Sequence, residues 1–135
     1  MVNFDVSAEL NNYATHLRFL GYEVEVQLQE KVLFATHSRK SNILVQAFQE
    51  GALLTSVYKQ GPDAARDRLG YLERVNQANQ KAAVSRFCVD NDADLSIEAF
   101  ITGAYSQQGF ARFLELWEND FQKLSEIDGI ERFLS

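Results

Sequence analysis

A single cysteine, Cys88, has no partner within the 135 residues, so no internal disulfide holds this fold together. That usage also fits a reducing compartment. A single proline leaves no stretch that reads as a linker, which predicts one domain spanning residues 1–135. Basic residues are the minority, 13 Lys and Arg against 19 Asp and Glu for a net charge of −6, and they form no run. Nucleic acid and anionic membranes both call for clustered cations, so neither is expected as a partner. No apolar stretch approaches the roughly 20 residues of a membrane helix. The opening MVNFDVSAELNN has neither the basic nor the apolar region of a signal peptide, and the chain reads as cytoplasmic. Glycine-rich phosphate loops, GxSxG elbows and HExxH pairs are missing too, so neither catalysis nor a cofactor is expected.

What is present is an ordinary globular balance, 46% hydrophobic and 24% charged, in a chain long enough to bury one core. Val6 to Leu20 carries Leu10, Tyr13, Ala14, Leu17 and Leu20 at helical spacing, with Ser7 or Asp5 as cap and Gly21 as the stop. Tyr22 to Gln29 alternates Val24, Val26 and Leu28 with Glu23, Glu25, Gln27 and Gln29, the pattern of an edge strand with one wet side. Lys31 to His37 and Asn42 to Phe48 alternate less cleanly and read as central strands. After a turn at Gln49-Glu50-Gly51, Ala52 to Lys59 completes a meander.

The rest is organised around Leu69 to Ile101, a helix followed by a two-strand hairpin. Gly61-Pro62-Asp63 predicts a helix start, and the helix runs to about Gln80. Its predicted inward line is Ala65, Leu69, Leu72, Asn76 and Asn79. Two amides on that line need partners, because a buried amide left unpaired costs about 1–3 kcal/mol. The expectation is that Asn76 and Asn79 form a polar clamp from the helix end onto the hairpin backbone; a ligand contact is the other reading. Ala83 to Val89, anchored by Val84 and Phe87, and Leu95 to Ile101 form the hairpin, with Cys88 read as a small buried hydrophobe.

Its tip holds Asp90, Asn91, Asp92 and Asp94. A calcium helix-loop-helix motif would need glycine and a carboxylate where Leu95 and Ile101 stand, so no metal is expected. His16 and His37, the only histidines, lie far from Cys88 along the chain, which excludes nothing. Cys88, mid-strand beside Phe87 and Val89, reads as buried, and no nucleophile pairing is expected. From Tyr105 a long helix, capped by Ser106, carries Phe110, Phe113, Leu114, Trp117, Phe121 and Leu124 as its core stripe. Its opposite face, Glu115, Glu118, Asp120 and Glu126, is predicted to be solvated. One edge of the stripe, Trp117 and Phe121, is the candidate partner or dimer surface. Asp128-Gly129 should interrupt the helix before a last apolar turn.

These elements predict an α+β fold, an antiparallel sheet of meander plus hairpin packed with three helices in the order α-β-β-β-β-α-β-β-α. The segment LERVNQANQKAAVSRFCVDNDADLSIEAF, with LRFLGYEVEV before it, resembles the YbjN family of bacterial sensory transduction regulators, within the type III secretion chaperone-like fold. The resemblance implies a non-enzymatic protein that binds other proteins. It also implies a homodimer, as chaperones of this fold hold an extended partner segment against sheet and helix surfaces. The alternative is a small-molecule binding protein or enzyme with a pocket between the sheet and the C-terminal helix.

Overall fold

The computed structural model describes residues 4–135. Its elements are α1 (Val6–Phe19), β1 (Glu23–Gln27), β2 (Val32–Thr36), β3 (Ile43–Phe48), β4 (Gly51–Tyr58), α2 (Arg68–Lys81), β5 (Arg86–Val89), β6 (Leu95–Thr102), α3 (Gln107–Ser125) and a 3₁₀ turn, η1 (Ile130–Arg132). This is the order that the sequence predicts. The six strands form one sheet, β1-β2-β3-β4-β6-β5, so β1 is an edge strand and β2 and β3 are central, as their patterns indicated. The meander pairs and the β5–β6 hairpin are antiparallel. The chain forms two compact units, the first reaching to Ser56 and including Phe100–Ala111, the second comprising Val57–Ala99 and Arg112–Ser135.

In the first unit Asp5 caps α1, its Oδ1 accepting from the Ala8 N–H at 3.1 Å. Gly21 (φ 97°) ends the helix: its N–H donates to the Arg18 carbonyl and that of Tyr22 to the Leu17 carbonyl, both at 3.0 Å. That pair of bonds is the Schellman motif, and it needs a residue free to adopt positive φ. Leu10, Tyr13, Ala14 and Leu17 are buried, and α1 packs on β1, β2 and β3. The inner sheet face supplies Leu33, Ala35, Ile43, Val45, Ala52 and Leu54, all buried. Between β3 and β4 the positive-φ positions fall on Gln49 (52°) and Glu50 (57°), while Gly51 lies in the strand opposite Phe48. The glycine predicted for the turn thus serves the sheet: a Cβ at Gly51 would overlap the Ile101 carbonyl oxygen.

The second unit departs more from expectation. The helix begins at Arg68 with Asp67 as cap, not at Pro62, and Asp67 Oδ1 accepts from the Gly70 N–H at 2.9 Å. Residues 62–66 form turns, because the N–H groups of Gly61 and Asp63 donate to the Phe133 and Arg132 carbonyls. The helix is also rotated from the predicted line. Tyr71, Val75 and Ala78 are buried, whereas Leu69 and Leu72 are 68% and 41% exposed. Tyr71 sets this rotation. Its ring stacks on Phe133 (centroids 5.2 Å apart, 3° between planes) and its hydroxyl donates to the Ala93 carbonyl at 3.0 Å. No leucine on the other line could replace an aromatic body with a satisfied polar tip.

Residues 83–85 are not strand. Their three N–H groups converge on the Asp120 carboxylate at 2.7, 2.9 and 2.9 Å. Asp120, expected on the wet face of α3, is only 1% exposed, although Glu115, Glu118 and Glu126 are exposed as predicted. Val84 is half-buried, Phe87 is the true anchor of β5, and Cys88 is exposed, not buried. Its strand's alternation aims Phe87 inward, which puts its neighbour outward. Ser106 caps α3, its Oγ accepting from Gly109 N–H at 3.0 Å. Gly129 (φ 79°) breaks the chain before η1, where Ile130 and Phe133 are buried.

Candidate functional site

Strand alternation in the first unit leaves a second sheet face, opposite α1. Its cross-strand rows are Glu25–Phe34–Leu44–Thr55, then Gln27–Val32–Gln46–Leu53, then Phe48–Gly51. Phe100 completes the last row. Its Cζ lies 2.8 Å from where a Gly51 Cβ would stand, so the ring covers the bare glycine, and it meets Phe48 edge-on at 6.1 Å. Phe34, Phe48 and Phe100 are 43%, 44% and 41% exposed, with Val32, Leu44 and Leu53 half-buried between them. Among the described residues no element of this unit covers them. A contiguous apolar surface of this kind marks an interaction site far more often than scattered single hydrophobes do.

The border is acidic. Glu23 and Glu25 project from β1 on this same face, and no outward position of β1, β2 or β3 carries a cation. Along the free edge of β1 the Arg18 guanidinium donates to the Val24 carbonyl at 3.2 Å, blunting strand addition there. Near that edge Gly21, Glu23, Thr36, His37 and Ser38 line an open hollow of about 390 Å³. The His37 ring there already accepts, at Nδ1, from the Arg39 N–H at 2.9 Å.

The residues singled out from sequence are distributed differently. Asn79 meets β5 with both ends of its amide: Oδ1 accepts from the Phe87 N–H at 2.8 Å and Nδ2 donates to the Phe87 carbonyl at 2.9 Å. Asn76 is exposed and has no such bond among the described residues, because the rotation of α2 carries it away from the hairpin. Replacing Asn79 with Leu should therefore lower unfolding free energy by about 1.5 kcal/mol, and Asn76→Leu should change it by less than about 0.5 kcal/mol. Urea melts of the two variants check this, and equal losses would rule out a clamp made by Asn79 alone.

Trp117 is 3% exposed, packed against Phe121 at 4.9 Å, so it offers nothing to a partner. Phe121 is half-buried, its other side against Tyr58 at 5.9 Å. The predicted helix surface is therefore largely core, because the small sheet leaves α3 to supply the large side chains. Asp90, Asp92 and Asp94 bring carboxylate oxygens within 4.8 Å of one another. Asp90 Oδ1, however, accepts from the N–H groups of Asp92 and Asp94, and Asp94 accepts from the Gln60 N–H at 2.9 Å and lies 3.5 Å from Lys59 Nζ. These acids close their own turn.

His16 lies in the first unit with its Nδ1 2.7 Å from the Tyr105 hydroxyl, while the Tyr105 N–H donates to Glu9 Oε2 at 2.7 Å. Burial holds the His16 ring below its ordinary pKa. Its protonation is thus opposed in the folded chain, so its contribution is intact above about pH 6.5 and is lost as pH falls through the depressed value. His16→Gln should show a shallower loss of stability between about pH 7 and pH 5 than the parent chain. Identical pH profiles in denaturant melts would count against it.

Sequence reasoning missed Phe34, Phe48 and Phe100. A signal existed in the imperfect alternation of β2 and β3, whose apolar runs put large groups on both faces. Such runs indicate a central position in the sheet as readily as an open second face.

Three helices and one six-stranded sheet, in this element order, define an α+β fold. Among solved structures the same fold is found in YbjN from E. coli, described as a candidate transcription regulator. The likeness covers 98% of this chain and 100% of that one, with a TM-score of 0.71 at 15% identity. It is a likeness of fold. No family model matches the chain, and no curated protein does.

Proposed function

We propose that this chain is a non-enzymatic protein-binding or regulatory module that works as a homodimer in the cytoplasm and uses the outer face of the meander to hold its partner. The observation that carries the reading is the uncovered set Phe34, Phe48 and Phe100 on an antiparallel sheet. The regulator description of YbjN supports it by analogy of fold alone.

Capture from a bacterial lysate should recover proteins on the parent chain that are lost on a Phe34→Ser/Phe100→Ser variant of unchanged circular dichroism. Recovery of the same proteins on both would sink the assignment of the face. Light scattering should give twice the 15.4 kDa of one chain, and a single-chain mass at high concentration would exclude the homodimer.

A further inference from the structure

The same strands show what shape fits the open face. On their inner side one helix, the 14-residue α1, covers β1, β2 and β3 through a single stripe of Leu10, Tyr13, Ala14 and Leu17. The apolar groups stand on β2, β3, β4 and the end of β6, and four strands about 4.8 Å apart make a surface roughly 15–19 Å wide. That is room for one helix about 10–12 Å across with its flanking side chains, and too little for two. The edge of β1 is a poor dock for an extended segment, because Arg18 already occupies the Val24 carbonyl.

Area points the same way. The three exposed rings, with the half-buried aliphatic groups between them, present on the order of 350 Å² of apolar surface. A stable dimer of globular chains needs about 800 Å² per partner. Since little more than half of such an interface is apolar, a second copy would need roughly 450 Å² of apolar surface, and this face, the size of one amphipathic stripe, falls short of it. Charge sets the rest. Glu23 and Glu25 stand on the β1 side of the face with no cation on the outward strand positions beside them, and the whole chain carries −6.

We infer that the occupant of this face is an amphipathic helix of another protein, apolar along one stripe and bearing Lys or Arg on the flank that lies over β1. This rests on the reading of the face as a partner surface, and it leaves the two-fold contact of a homodimer to another surface.

The test uses the full chain and two labelled synthetic helices of about 18 residues, five turns each, one built from Leu and Lys and the other from Leu and Glu. Anisotropy titrations at about 0.15 M salt keep long-range attraction screened. The Leu/Lys helix should bind at least about tenfold more tightly than the Leu/Glu helix, a difference of about 1.4 kcal/mol. Phe34→Ser/Phe100→Ser, and Phe34→Ser alone to a lesser degree, should weaken the Leu/Lys complex about tenfold or more. Glu23→Gln/Glu25→Gln should narrow the preference between the helices at least about threefold, while Glu126→Gln/Glu131→Gln, the same change in net charge, should leave it.

Equal effects of the two charge variants would overturn the inference in favour of bulk attraction. Equal binding of both helices, still dependent on Phe34 and Phe100, would overturn the basic partner while leaving the face as a docking surface. Binding indifferent to Phe34 and Phe100 would overturn both. Phe34-dependent binding to phosphatidylserine vesicles in place of the Leu/Lys helix would overturn the protein partner.

Discussion

Replacing Asp120 with Ala should remove about 4 kcal/mol of stability, moving the urea midpoint down by about 2 M or more at an unchanged slope. The carboxylate accepts from the N–H groups of Ala83, Val84 and Ser85, and it lies in the interior of the second unit. Each donor left unpaired costs about 1–3 kcal/mol, and bonds to a charged acceptor lie at the upper end of that range. Water admitted by the smaller side chain recovers part of the loss, which is why the figure falls below three times the upper value. Lys123 Nζ, 3.9 Å away, offsets the buried charge while itself donating to the Lys81 carbonyl at 2.9 Å. Asp120→Asn keeps the shape and one oxygen but turns an NH₂ toward an N–H, so it should lose about 2 kcal/mol. A loss below about 1 kcal/mol for the alanine variant would mean that these three bonds are not what fixes the path from α2 into β5.

Gly51→Ala should cost about 3 kcal/mol and should also disable the open face. The added methyl would overlap the Ile101 carbonyl, which is backbone and cannot swing aside, and it would press on the Phe100 ring. Relief requires the strand itself to shift, and the shift removes Phe100 from its place beside Phe48. Glu50→Gly is the counterpart with opposite sign. Glu50 holds φ at 57° without being glycine, so relieving that position should stabilise the chain by about 1 kcal/mol. Urea melts measure both changes, and binding of the Leu/Lys helix measures the fate of the face. Gly51→Ala with parental stability would show that the close approach at Ile101 is not needed.

Much of the fold was legible because periodicity and punctuation agree. Gly21 stops α1, clean alternation marks β1 as an edge, and the stripe from Phe110 to Leu124 predicts α3. Asp120 departs from expectation because its residue type points outward while its position points inward. It stands three residues after Trp117 and four before Leu124, on the inward line, where only a cluster of backbone donors makes an acid tolerable. Those donors belong to residues 83–85, and no pattern in the sequence announces that they converge. The rotation of α2 was hidden for a similar reason: Leu69 and Leu72 fit the helical period as well as Val75 and Ala78 do, and the choice falls to Tyr71 and its partner Phe133, far along the chain. The open face was hidden by the one-way nature of burial statistics, since apolar strand residues are ordinarily taken for core.

The amide of Asn79 has the donor and acceptor of a peptide group, and it meets the N–H and C=O of Phe87 as a neighbouring strand would. The sheet is therefore finished at β5 by an imitation of its own repeat, one peptide long. A passing chain that sought to lengthen the sheet would find that slot taken, so growth by stacking one copy on the next is checked by a single side chain. Loss of that side chain would therefore do two things at once: soften the fold and, in crowded solution, open the edge to strand-joined chains.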